Sequence, residues 1–108
     1  MRVLQLNMRG MADCSDLLTQ LLSDHAIDAL LLQDIPSGLR SGTVFRGYEL
    51  YLPLQAMGTS SSGSADPQVA ILLRTGLSGR SLDLSHPRLC GVVVSTRRGP
   101  VALISAYI

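Results

Sequence analysis

The sequence lacks the features by which several classes of protein are ordinarily recognised. No apolar run approaches the roughly 20 residues that a membrane-spanning helix requires, and the N-terminus lacks the basic and then apolar layout of a signal peptide. Only two cysteines occur among the 108 residues, which argues against a disulfide framework or a zinc site. We therefore expect an intracellular protein with no membrane partner.

Charge is also scarce, and lysine is absent. The formal net charge is +1, and all nine basic residues are arginines. So small a net charge argues against a polybasic, histone-like mode of binding nucleic acid. The arginine bias has two explanations, guanidinium recognition of phosphate or codon composition. With 46% hydrophobic residues, the chain is typical of a single globular domain rather than a disordered segment.

The first third of the chain follows the pattern strand, helix, strand. The stretch RVLQLNMRG predicts a short strand that closes at Asn7. A helix capped by Asp13 or Ser15 follows and ends near His25. Its leucines share one face at helical spacing: Leu17, Leu18, Leu21 and Leu22. Residues 27–33 are nearly all apolar, which is typical of a strand covered on both faces.

A strand, helix and strand within so few residues predict a right-handed βαβ crossover with parallel strands. Parallel strands end at the same edge of a sheet, which places Asn7 beside Asp34. Ligand sites of α/β sheets form outside such edges. The alternative is that Asn7 and Asp34 only make turns. The sequence has no G-x-G-x-x-G fingerprint, P-loop or G-x-S-x-G elbow, so neither nucleotide binding nor serine hydrolysis by these motifs is indicated.

The second half predicts a β-meander after the βαβ unit. Alternation over residues 47–53 indicates a strand, and the Gly/Ser-rich residues 55–67 indicate a mobile loop. Three apolar strands follow, at residues 68–74, 88–96 and 100–108. The chain stops in the last of these without a polar tail, so we expect it to be a piece of a longer protein.

In their order, these motifs resemble the first half of the endonuclease/exonuclease/phosphatase superfamily, which includes deoxyribonuclease I. The matching segments are LQLN, LLLQD, VAILLR and SAYI. Their residues and spacing are most similar to those of the endonuclease domains of non-LTR retrotransposons. The resemblance implies the N-terminal half of a four-layer α/β/β/α sandwich. Residues 1–108 would then form a partial domain that supplies mostly one of its two sheets.

The resemblance also implies roles for individual residues. Asn7 would help to organise a catalytic Mg²⁺ ion, with Mn²⁺ as the alternative, and the attacked phosphate. Asp34 occupies the position of the metal ligand, where the family usually has glutamate. A carboxylate one methylene shorter sits on the order of 1 Å further back, which octahedral Mg²⁺ tolerates poorly without an intervening water. Tyr107 matches the tyrosine that hydrogen-bonds the phosphate; otherwise it is an ordinary strand aromatic.

The family's remaining catalytic groups lie C-terminal to its tyrosine motif and are absent here. Neither His25 nor His86 is expected to replace the family's histidine. The sequence thus predicts the first part of a Mg²⁺-dependent DNA endonuclease, inactive alone and nuclear if it is a retroelement product. The alternatives are a phosphatase or phospholipase of the same fold, a non-catalytic remnant, and a small α/β binding module with no nuclease ancestry. A sheet face left bare would favour self-association.

Overall fold

The computed structural model describes residues 1–9, 15–35, 45–53 and 68–107. It contains one helix, α1, and seven strands within these ranges. The elements in chain order are β1 (Val3–Asn7), α1 (Ser15–Asp24), β2 (Ala29–Gln33), β3 (Tyr48–Tyr51), β4 (Val69–Arg74), β5 (Gly79–Leu82), β6 (Leu89–Thr96) and β7 (Gly99–Ala106). The two strands and helix predicted at the start of the chain are therefore present.

The first sheet has the strand order β1-β2-β4-β3. Strands β1 and β2 are parallel, as the βαβ interpretation predicts, and they pair in register from Val3 with Ala29 to Asn7 with Gln33. Strand β4 pairs antiparallel with both β2 and β3. Strands β2 and β4 lie inside the sheet and are almost wholly buried, which explains why their sequences are continuous apolar runs.

The second sheet is an antiparallel meander with the order β5-β6-β7. The prediction that the strand at 68–74 belongs to one meander with 88–96 and 100–108 is wrong, because that strand is β4 of the first sheet. Its place in the meander is taken by β5. Strand β5 is not predictable from the sequence, because its residues, GRSL, lie at a sheet edge with Arg80 and Ser81 exposed and show no apolar alternation.

Two apolar layers hold the elements together. On one face of the first sheet, Leu18 and Leu22 of α1 pack against a cluster that includes Leu30 and Leu72. The prediction that four helix leucines share the buried face is too broad, because Leu17 is 56% exposed. The other face packs against the second sheet, through a buried cluster of β2, β4, β6 and β7.

The expectation that this chain supplies mostly one sheet is also wrong, since two sheets already face each other. The second sheet nevertheless packs mainly against β2, β3 and β4. Leu4 and Leu6 of β1 pack against the helix-side cluster, so the alternate residues Val3, Gln5 and Asn7 face the second sheet and are exposed. The inner face of β1 is therefore uncovered.

Some predicted features lie outside the described residues. They are the Asp13 cap and the Gly/Ser-rich loop at 55–67. No helix in the described part of the chain is long and apolar enough to cross a bilayer.

Candidate active site

Asn7 and Asp34 come to the same edge of the first sheet. Asn7 is the last paired residue of β1, and its register partner is Gln33 at the end of β2. Asp34 follows directly. One further hydrogen bond continues beyond the paired strands, from the Met8 amide to the Gln33 carbonyl at 2.8 Å. The backbone thus places Asn7 and Asp34 side by side, as the sequence predicts.

The Asn7 side chain forms a local turn as well. Its Oδ1 accepts a 2.9 Å hydrogen bond from the Arg9 backbone amide, which is an Asx turn, and Arg9 has φ 53°. The turn interpretation of Asn7 is therefore correct, but it does not exclude a binding role. An amide oxygen has two lone pairs, and Asn7 is exposed, so its second lone pair is available to a ligand.

Asp34 is half-buried and adopts a left-handed backbone conformation, with φ 50°. This conformation is strained for a residue with a Cβ atom, although Asp tolerates it better than most. The chain is fixed on both sides of Asp34. Gln33 is paired to β1, and the amide of buried Ile35 donates to the Gln68 carbonyl at 3.4 Å. Strain held by its surroundings is common at functional sites.

Tyr107 follows β7, which runs in the same direction as β2 on the facing sheet. Two observations give this direction. Near the amino end of β2, Asp28 lines the same cavity as Val94, and Val94 pairs with Val101 near the start of β7, so the first residues of both strands lie close together. At the carboxyl end of β2, the Ser105 hydroxyl donates to the Leu32 carbonyl at 2.8 Å. Tyr107 therefore lies at the same end of the two-sheet sandwich as Asn7 and Asp34. We call these three residues the site edge.

Tyr107 is half-buried and fixed to the start of β6. Its backbone amide donates to the Arg88 carbonyl at 3.0 Å, and the Arg88 guanidinium lies 5.9 Å from the centre of its ring. That distance is within the range of a cation–π contact. Arg88 thereby adds a positive charge near the site edge that was not predicted from the sequence.

The two histidines lie at different ends of the molecule. His25 follows α1, where its carbonyl accepts from the Arg2 guanidinium, so it is remote from the site edge. His86 is in the turn before β6 and closer to Tyr107, because Leu89 bonds to the His86 carbonyl and pairs with Ala106. The His86 Nδ1 accepts from the Arg88 amide at 3.1 Å. That nitrogen is therefore engaged in the turn.

A buried chain of hydrogen-bonded polar groups, which the sequence did not predict, links the two sheets next to the site edge. The Gln33 Nε2 donates to the Ser105 hydroxyl at 2.8 Å, and that hydroxyl donates to the Leu32 carbonyl. Gln33 and Ser105 are 6% and 1% exposed. A glutamine that ends an otherwise apolar strand was the available signal.

The opposite end of the sandwich has a different chemistry. Asp28 is buried; its carboxylate accepts from the Arg2 backbone amide at 2.6 Å and pairs with Arg74. The Arg74 amide donates in turn to the Asp28 carbonyl at 2.8 Å. This arrangement ties β2 to β4 and to the segment before β1. Its carboxylate is neutralised by protein groups, so it is a structural ion pair rather than a candidate metal ligand.

The donor atoms at the site edge suit a hard divalent cation. Asp34 supplies a carboxylate and Asn7 a free amide lone pair, and oxygen donors are what Mg²⁺ prefers. Within the described ranges, no group of three or more His, Cys, Asp or Glu side chains is assembled. A Mg²⁺ ion held by one carboxylate with several waters matches this donor set, because Mg²⁺ usually retains much of its hydration.

Comparison with known proteins identifies the fold. No protein-family profile matches the sequence, and no curated protein does. A solved structure described as the endonuclease domain of TRAS1, a telomere-specific non-LTR retrotransposon, is similar, with a TM-score of 0.76 and 19% sequence identity. The similarity covers 99% of this chain and 45% of that one. The chain thus has the fold of a little under half of that endonuclease domain.

Proposed function

We propose that this chain is the N-terminal part of a Mg²⁺-dependent phosphodiesterase, a DNA endonuclease of the retrotransposon type. The observation that carries the proposal is the site edge itself. Strands β1 and β2 are parallel and end together, and β7 of the facing sheet ends beside them. An amide, a carboxylate and a phenol residue that are distant in sequence are thereby collected at one end of the sandwich. The similarity to a retrotransposon endonuclease domain supports the same interpretation.

In this proposal, Asp34 and Asn7 hold the metal ion. When bound there, a Mg²⁺ ion would supply Lewis-acid stabilisation of the negative charge that develops on the phosphoryl oxygens during hydrolysis. The protein's part is to keep the Asp34 carboxylate in place, which the strained and doubly anchored backbone at this residue does. The Asx turn at Asn7 similarly restricts its amide to one orientation.

Tyr107 and Arg88 act on the phosphate. The tyrosine hydroxyl donates a hydrogen bond to a nonbridging oxygen, and the guanidinium stacked near its ring contributes positive charge. A guanidinium suits a phosphate because its donors are planar and paired. Together they bind and orient the DNA backbone at the site edge.

Water activation and leaving-group protonation require further groups. His25 lies at the other end of the sandwich, and the Nδ1 of His86 accepts from the Arg88 amide, so neither nitrogen is placed to activate water at the site edge. We therefore propose that the chain alone is inactive and that a C-terminal segment completes the site. As part of a retroelement product, the protein would act on DNA in the nucleus.

A plasmid-nicking assay tests the proposal. Supercoiled DNA is incubated with the 108-residue chain, and with a version extended through the downstream reading frame, in Mg²⁺, Mn²⁺, Ca²⁺ or EDTA. Nicking by the extended form alone, dependent on Mg²⁺ or Mn²⁺, is the expected result. Hydrolysis of a small phosphomonoester without nicking would instead favour a phosphatase. An inactive extended form that binds no Mg²⁺ would favour a non-catalytic remnant.

A further inference from the structure

The hydrogen-bonded pair Gln33 and Ser105 connects the two sheets directly behind the site edge. Gln33 precedes Asp34, and Ser105 lies two residues before Tyr107. The Gln33 amide nitrogen donates to the Ser105 hydroxyl at 2.8 Å, and the hydroxyl donates to the Leu32 carbonyl at 2.8 Å. A buried polar bridge therefore joins the strand that carries the carboxylate to the strand that carries the phenol.

The hydrogen bonds fix the orientation of the Gln33 amide. The Ser105 proton is already given to the Leu32 carbonyl, so the Ser105 oxygen is available only as an acceptor for the amide nitrogen. If the Gln33 amide were flipped, its oxygen would face the Ser105 oxygen, and both atoms would be acceptors with no proton between them. The bridge thus has a single direction, from Gln33 through Ser105 to the β2 backbone.

The bridge is not the arrangement that stability alone would select. The Gln33 Oε1 is buried and has no hydrogen-bond partner within the described structure. A buried acceptor without a donor is unfavourable, whereas an apolar side chain of similar shape at this position would have no such cost. Gln33 also stands at the end of a strand whose other residues are apolar. A polar group kept at a cost to stability calls for another explanation.

We infer that Gln33 and Ser105 are positioning residues that set the distance between Asp34 on the first sheet and Tyr107 on the second. The inference rests on the proposed function, because it concerns how the metal ligand and the phosphate-binding phenol are held together. Apolar contacts between the sheets have no directional preference, whereas a hydrogen bond weakens steeply when its angle or length changes, so this bridge constrains the register of β2 against β7. The bridge forms a path from Asp34 through its neighbour Gln33, across the hydrogen bond to Ser105, and along two residues of β7 to Tyr107.

Two matched substitutions at Ser105 separate this role from simple packing. Ser105→Thr retains the hydroxyl. Ser105→Val introduces a side chain of nearly the same shape as threonine but without the hydroxyl. Gln33→Met removes the amide while keeping the length of the side chain. Gln20→Met makes the same chemical change on the exposed surface of α1 and serves as the control. Amide and tyrosine-ring NMR signals are measured on the 108-residue chain, and kcat, KM and the Mg²⁺ concentration for half-maximal nicking on the extended form.

We expect Ser105→Val and Gln33→Met to move the Asp34 and Tyr107 signals and to lower kcat by about 10- to 100-fold, with KM changed little. Ser105→Thr and Gln20→Met should leave these quantities near the wild-type values. Equal effects of Val and Thr at residue 105 on both signals and kcat would overturn the inference. If the unmutated extended form is inactive, the proposed function fails, and the NMR comparison alone then decides the inference.

Discussion

Asn7 and Gln33 are partners at the last paired position of the parallel strands β1 and β2. Their side chains project from the same face of the sheet, because in-register partners of neighbouring strands do so. The face is the one that meets the second sheet, where Gln33 contacts Ser105. Asn7 therefore stands beside the inter-sheet bridge, at its open side.

The left-handed conformation of Asp34 predicts opposite effects on stability and metal binding. Asp34→Gly should raise the free energy of unfolding by about 0.5–1 kcal/mol, since glycine adopts a positive φ without strain. The same change removes the carboxylate, so Mg²⁺ binding should be lost. Urea denaturation and Mg²⁺ titration calorimetry measure the two effects.

Ala26→Gly is the control for Asp34→Gly. Ala26 also has φ 50° but lies just after α1, away from the site edge. It should give a similar gain in stability with Mg²⁺ affinity unchanged. Retained Mg²⁺ affinity in Asp34→Gly would show that Asp34 is not the metal ligand.

Asp34→Glu in the extended form tests the length of the ligand. Glutamate is the usual residue at this position in the superfamily that the sequence resembles, so we expect tighter Mg²⁺ binding and faster nicking. The gain follows from direct coordination in place of a water-mediated contact. An unchanged affinity and rate, measured by calorimetry and plasmid nicking, would contradict the assignment of Asp34.

Two tyrosine-to-phenylalanine substitutions should differ in what they affect. Tyr107→Phe removes only the hydroxyl of a partly exposed ring, so it should change the free energy of unfolding by less than about 0.5 kcal/mol. It should nevertheless slow nicking by the extended form. The Tyr48 hydroxyl donates to the Ile27 carbonyl at 2.6 Å. Tyr48→Phe should therefore cost about 1 kcal/mol of stability and leave nicking intact.

Alkaline pH should destabilise the fold through Cys90. Burial raises the pKa of this thiol from 9.0 to about 12, and a backbone hydrogen bond involving Ile71 offsets the rise only in part. Above pH 9 the unfolded chain loses the thiol proton while the folded chain keeps it, so stability falls as pH rises towards 12. The slope from this group approaches about 1.4 kcal/mol per pH unit.

Cys90→Val isolates that contribution. Valine is similar in size and does not titrate, so the variant should lose less stability between pH 9 and 12. Tyr48 and Tyr51, whose pKa values burial also raises, contribute the same fall in both proteins. Parallel stability curves for wild type and Cys90→Val over this range, from urea denaturation, would be inconsistent with a buried neutral thiol.

The uncovered inner face beside β1 predicts self-association of the isolated chain. Val3 is 44% exposed and Val101 38% exposed. Both side chains are directed towards the space between the sheets, since Val101 pairs with buried Val94. Val3→Lys with Val101→Lys should shift the chain towards monomer in sedimentation velocity experiments. Leu17→Lys, on an exposed position of α1, should not.

The sequence predicts the local elements of this fold better than their partners. A helical leucine spacing and an apolar run suffice for α1 and β2, and the short crossover makes β1 and β2 parallel. The apolar residues of β4 do not indicate that this strand pairs with β2 and β3 rather than with β6. That choice depends on contacts between distant residues, which a single sequence does not display.

The same limit applies to the site. Strand ends are visible in sequence, so Asn7 and Asp34 were predicted to be neighbours. The bridge from Gln33 to Ser105 depends on how two sheets face each other, and Arg88 reaches Tyr107 only because β6 and β7 are paired. The buried pair of Asp28 and Arg74 was missed for the same reason.

The hydrogen bond from Ser105 to Leu32 spans 73 residues of sequence. Strands β6 and β7 are joined by a two-residue turn and form a hairpin from neighbouring residues, whereas closing so long a loop is entropically costly and slow. The hairpin is therefore expected to form early and the two sheets to dock late. Because Asp34 and Tyr107 come to the same end of the sandwich only in that final step, a chain whose sheets have not docked has the metal ligands of the first sheet but lacks the phosphate-binding tyrosine beside them.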